Sequence, residues 1–155
     1  MKRRLFLIII ACMICLSVPG LLSACTKDSL LGIYNRSLQA AGENVLTSHP
    51  TGDRAFGSDA YAGTYTAALE DATIREYLFG GTSIDREDGY HFALEADFDA
   101  RQGSASLILE EGSEDPQVLF SGSGHFETEL DLGPGSDYFV LETTDYTGDI
   151  SLSIQ

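Results

Sequence analysis

The feature that most restricts this chain is a change of hydrophobic period near residue 56. Beyond it, Tyr61, Gly63, Tyr65, Ala67 and Leu69 alternate with small or polar residues. Phe92, Leu94, Ala96 and Phe98 alternate with His91, Ala93, Glu95 and Asp97, and Phe126, Thr128, Leu130 and Leu132 with His125, Glu127, Glu129 and Asp131. Successive side chains of a strand point to opposite faces, so each run reads as a half-buried antiparallel strand. Residues 106–109, 118–120 and 138–141 are short continuous apolar runs, and Ile150, Leu152 and Ile154 alternate again. The breaks carry turn chemistry: Gly80-Gly81, Asp88-Gly89, Gln102-Gly103, Glu111 to Pro116, Ser121 to Gly124, Gly133-Pro134-Gly135 and Thr147-Gly148. The pattern predicts an all-β fold, an antiparallel β-sandwich of about eight strands over 56–155, with Asp88-Gly89 the sharpest hairpin signal. Phe56, Phe79, Phe92, Phe98, Phe120, Phe126 and Phe139 can fill the space between its two sheets.

The other end of the chain is different. Met1-Lys2-Arg3-Arg4 precedes an uncharged apolar run from Leu5 to Leu16, the order of a signal peptide's basic and hydrophobic regions. Such a run makes a helix of roughly 18 Å, short of the roughly 30 Å hydrocarbon core, and Pro19-Gly20 stops its extension. Leu22-Ser23-Ala24-Cys25 follows, and it resembles the lipobox of bacterial lipoproteins. That resemblance implies a diacylglyceryl group on Cys25, cleavage after Ala24 by a signal peptidase reading Leu22, Ser23 and Ala24, and a membrane partner held through the lipid. It implies the extracytoplasmic face of the cell membrane, or the outer membrane if the host has one. Cys12 and Cys15 form a C-x-x-C inside the expected leader 1–24, so Cys25 alone remains after cleavage and no disulfide is expected.

Between leader and sandwich, residues 25–55 read as a tether. Asp28 or Ser29 can cap a short helix in which Leu30, Ile33, Tyr34, Leu38 and Ala41 recur at helical spacing, with Gly42 closing it. From Glu43 to Asp59 the composition is that of a linker, with His49-Pro50 and Gly52-Asp53.

Charge excludes one class of partner. The 24 acidic side chains outnumber the 9 basic ones, for a net charge of -15. Removing Lys2, Arg3 and Arg4 with the leader leaves six basic side chains against 24 acidic ones, a net -18. Such a field repels nucleic acid and anionic headgroups.

The candidate chemistry is sparse. Nucleophilic catalysis lacks a free cysteine or a G-x-S-x-G elbow, and the glycine-rich pairs precede strands rather than helices, so no enzyme is expected. No cofactor is expected beyond a structural calcium, whose candidate ligands are Asp85, Glu87, Asp88, Asp97 and Asp99. Asp85 to Gly89 does not follow EF-hand spacing. If their strands are neighbours, His91 with Glu95 and His125 with Glu127 are candidate zinc ligands, short of a complete set. Six tyrosines, Tyr61, Tyr65, Tyr77, Tyr90, Tyr138 and Tyr146, fall in or near strands. Gathered and exposed on one sheet they make a sugar platform; buried they make core.

Gly135 to Leu141, followed by Thr147 to Ile154, is similar to the closing strands of bacterial jelly-roll modules such as pre-peptidase C-terminal domains and carbohydrate-binding modules. The resemblance implies a secreted accessory β-sandwich and carries over no functional residue. The expectation is a lipid-anchored, non-enzymatic binding or interaction module with a protein or glycan ligand. The alternatives are a carbohydrate-binding accessory module and a structural, envelope-maintaining lipoprotein without a small ligand.

Overall fold

The computed structural model describes residues 27–155, so the expected leader, Leu22, Ser23, Ala24 and Cys25 lie outside the described residues. The elements are α1 (Lys27–Glu43), β1 (Asp53–Phe56), β2 (Gly63–Ala72), β3 (Arg75–Ser83), β4 (His91–Glu111), β5 (Gln117–Ser121), β6 (Gly124–Asp131) and β7 (Gly135–Ile154). The described residues fall into two units, divided between Tyr34 and Asn35. In the first, Leu30, Leu31 and Tyr34 of α1 are exposed. No helix among the described residues is long and apolar enough to cross a membrane.

The second unit is an all-β sandwich made by folding one seven-stranded antiparallel sheet on itself. β4 and β7 pair along most of their lengths, from Leu94↔Ile154 to Glu111↔Asp137, and the register shifts at 100–104. On one side of that bend, β7 pairs β2, β2 pairs β1, and β4 pairs β6. These make a front layer in the order β1-β2-β7-β4-β6. On the other side β7 pairs β3 and β4 pairs β5, making a back layer in the order β3-β7-β4-β5.

The alternating residues meet between the layers. Tyr65, Phe92, Leu94, Ala96, Phe98, Ile150 and Leu152 of the front layer join Leu107, Leu109, Phe139 and Leu141 of the back layer in one buried cluster. Phe92 packs edge-on to Phe139, with ring centroids 6.0 Å apart. Burying each such side chain contributes about 1.5–3 kcal/mol. Phe56 departs from the expected filling: it is 48% exposed, with the Arg54 guanidinium over its ring.

Three of the expected turns lie inside strands. Gln102-Gly103 and Thr147-Gly148 sit where β4 and β7 pass from one layer to the other, so each of these strands runs through a position expected to end it. Gly103 has φ +74°, and a side chain there would meet the Asp145 carbonyl oxygen at 2.2 Å. Gly80-Gly81 lies within β3, where a Cβ on Gly80 would come within 2.1 Å of the Asp137 carbonyl oxygen. Glycine here serves close approach of backbones rather than chain reversal. Asp88-Gly89 does turn, with φ +74° at Gly89, but it is not a hairpin, because β3 pairs β7 and not β4.

The linker-like stretch is bound to the back layer. Leu46 joins Ile108, Tyr138 and Val140 in a second apolar cluster on that layer's outer side. Arg54 donates to the carbonyls of Thr47, Tyr77 and Leu78, and buried Glu76 accepts from the Thr51 amide and hydroxyl at 2.8 and 2.7 Å. Asn35 Nδ2 donates to the Asp85 carbonyl, and Asn35 Oδ1 accepts from the Ile84 amide. The compact unit therefore takes in residues well before 56.

Candidate functional site

The two outer faces of the sandwich differ. Leu46 and its neighbours cover the apolar patch on the back layer, whereas the outer face of the front layer is open and polar. The period-two register that sends Phe92, Leu94, Ala96 and Phe98 inward sends His91, Glu95, Asp97 and Asp99 outward. Pairing then sets Asp131 beside His91, Glu127 beside Glu95 and His125 beside Asp97 on one flank. On the other flank Ser153 lies beside Glu95, Ser151 beside Asp97 and Asp149 beside Asp99, with Thr64 and Thr66 of β2 beyond the two serines.

This face presents eight exposed carboxylates among the described residues, Asp53, Glu95, Asp97, Asp99, Glu127, Glu129, Asp131 and Asp149. The basic groups set against them are Arg101, 3.2 Å from Asp149, and the two histidines. His91 Nδ1 lies 2.8 Å from Asp131 Oδ1. His125 is held at both ring nitrogens, Nδ1 to Asp97 Oδ1 at 2.9 Å and Nε2 to Glu127 Oε1 at 3.1 Å. Hydrogen bonding to Asp131 raises the His91 pKa, and hydrogen bonding to Asp97 and then Glu127 raises that of His125, because carboxylate neighbours favour the charged imidazolium.

Two shallow hollows meet along this face. One, of about 320 Å³, is lined by Ala93, Glu95, Glu127, Glu129, Ser153 and Gln155. The other, of about 370 Å³, reaches from Ser153 and Gln155 to Gly63, Arg86 and His91. Ser153 and Gln155 belong to both.

The calcium candidates occupy two places. Asp85, Glu87 and Asp88 lie in the β3–β4 loop, and Asp97 and Asp99 on β4. The loop carries a cation of its own: buried Arg86 bonds Asp59 Oδ2 at 2.5 Å and the Gly89 carbonyl, and lies over the Phe92 ring at 4.7 Å. Among the described residues, the three potential ligands that converge are Glu95, His125 and Glu127, whose ligating atoms lie within 4.8 Å of one another. The sequence spacing that joins His125 to Glu127 corresponds to a contact, but joining His91 to Glu95 fails because the β4–β6 register gives His91 to Asp131. Glu95 becomes the third member only through that register, which no local spacing encodes.

The six tyrosines in or near strands belong to the core or pack against it. Tyr61, Tyr65, Tyr138 and Tyr146 are buried, and Tyr77 and Tyr90 are half-buried. The Tyr65 hydroxyl donates to Glu76, that of Tyr77 to Glu110, and that of Tyr90 to the Ser83 carbonyl.

No protein-family model matches the chain, and no curated protein matches it. Among solved structures it is similar to PirA, at 10% identity and TM-score 0.42, covering 64% of this chain and 97% of that one. It is similar to a carbohydrate-binding module of Cellvibrio mixtus lichenase 5A, in complex with cellotriose, at 13% identity and TM-score 0.37 over 74% of this chain and 93% of that one. A third is the pre-peptidase C-terminal domain of a Bacillus anthracis collagenase, at 13% identity and TM-score 0.34 over 67% and 85% of the respective chains. At these scores no residue or activity passes from them to this chain.

Proposed function

We propose that this protein is an extracytoplasmic lipoprotein, tethered through Cys25, whose β-sandwich is a non-enzymatic interaction module that binds a basic partner on its open acidic face. The observation that carries the binding reading is the difference between the outer faces: the back is covered by Leu46 and its segment, while the front leaves eight carboxylates exposed among the described residues. A surface of one sign steers oppositely charged partners and raises their association rate, in a salt-dependent way. The anchor is supported by Leu22-Ser23-Ala24-Cys25 at the end of a basic and then apolar leader. Two acyl chains hold a protein stably at a bilayer where one does not. Burial of Tyr61, Tyr65, Tyr138 and Tyr146 disfavours sugar stacking.

Two measurements test this. Palmitate labelling should mark the protein and be lost in Cys25→Ala; label in that variant refutes the anchor. Calorimetry of the full chain should show binding of an oligo-lysine peptide, weakened by salt and by Glu127→Gln with Glu129→Gln, and not by Glu110→Gln on the back layer. Equal affinity for an uncharged peptide of the same length, or no binding of either, refutes the acidic-face reading.

A further inference from the structure

We infer that Glu95, His125 and Glu127 form a binding site for one divalent transition-metal ion of the zinc class. Exposed carboxylates alone are commonplace on this surface. What sets this place apart is an imidazole nitrogen among the converging atoms, all three within 4.8 Å of one another. A tetrahedral ion bound at about 2.0–2.2 Å needs ligands about 3.4 Å apart. Rotation of the exposed Glu95 and Glu127 side chains closes the difference.

The ring is already oriented for this role. Asp97 Oδ1 holds Nδ1 at 2.9 Å, leaving Nε2 on the side of Glu127, 3.1 Å from its carboxylate. A carboxylate on the far ring nitrogen is the usual support of a metal-bound histidine, since it fixes tautomer and orientation. Glu95 and Glu127 are direct cross-strand partners, a like-charge arrangement that is unfavourable without a cation between them. Both also line the 320 Å³ hollow, so a remaining coordination position faces open space. One nitrogen with two carboxylates suits zinc, cobalt or nickel; calcium and magnesium prefer oxygen ligands throughout. His91 has Asp131 at 2.8 Å and belongs to no such group among the described residues, which makes it the internal control. The inference stands on these side chains and needs neither the lipid anchor nor a protein partner.

The test is calorimetric titration of the full chain, purified without a polyhistidine tag, with zinc chloride and separately with calcium chloride. One zinc per chain is expected, with affinity lowered at least about tenfold by His125→Gln and by Glu127→Gln and unchanged by His91→Gln. Glu95→Gln should lower zinc affinity while raising the melting temperature of the metal-free protein, two effects that a merely structural role does not combine. Zinc uptake insensitive to His125→Gln, equal loss in His91→Gln, or calcium bound as tightly as zinc overturns the inference.

Discussion

Asp137 provides the sharpest test of the packing. It is 4% exposed, and its Oδ2 has no hydrogen-bond partner. Burial, with the charge of Glu111 directly across the ladder, pushes its pKa up to about 6 from an ordinary 3.8. A carboxyl raised in this way costs nothing below its unfolded value, where it is protonated in both states, and its full cost is reached once pH exceeds the folded value. The displacement corresponds to about 3 kcal/mol, and structural relaxation around the ionised group lowers this to roughly 2 kcal/mol. Asp137→Asn keeps the shape and removes the charge. The variant should therefore gain roughly 2 kcal/mol over the parent above pH 7, or roughly 5–10 °C in melting temperature, with the gain vanishing below pH 4. Denaturant unfolding followed by far-ultraviolet circular dichroism across pH 3.5–8 measures both arms. A variant no more stable than the parent at pH 8, or one with an unchanged difference at pH 4, refutes the reasoning.

Other expectations follow from single contacts. Gly80→Ala puts a methyl into the Asp137 carbonyl at a backbone with φ +126°, and should lower stability by roughly 2–4 kcal/mol in the same unfolding assay. Arg54→Ala removes donors from three carbonyls; a loss of roughly 2–3 kcal/mol is expected, with faster amide exchange at 47–52. In NMR titration both His91 and His125 should titrate above the ordinary histidine value, and Asp131→Asn should lower only His91. The stabilisation from these pairs is full below the unfolded histidine value and fades as pH rises through the raised one; titration at or below the ordinary value would contradict the pairing.

Whatever period two encodes is legible in the sequence. Phe92, Leu94, Ala96 and Phe98 are buried, and Phe126, Thr128 and Leu130 are half-buried between exposed neighbours. Boundaries are misplaced where glycine serves a second purpose, since Gly80 and Gly103 look like turns but permit backbone contact inside strands. Composition also misses the attachment of 44–52, because Val45-Leu46 is too short an apolar pair to show a period and Arg54 and Glu76 secure the segment through polar bonds. The acidic face is visible in outline. Its convergence on Glu95, His125 and Glu127 depends on how β4 and β6 align, a long-range fact absent from either strand alone.

β7 follows in sequence every strand it pairs with, and it occupies an interior position in both layers. Until Gly135–Ile154 has been synthesised, neither half-sheet has its middle. A nascent chain lacking that segment can form the β1–β2, β4–β5 and β4–β6 pairs but leaves β3 unpaired and an edge of β2 and of β4 open, and the contacts that join these pieces, distant in sequence, form slowly. Slow closure keeps such a polypeptide threadable for longer, a kinetic property useful to any chain that must pass a narrow pore before it folds.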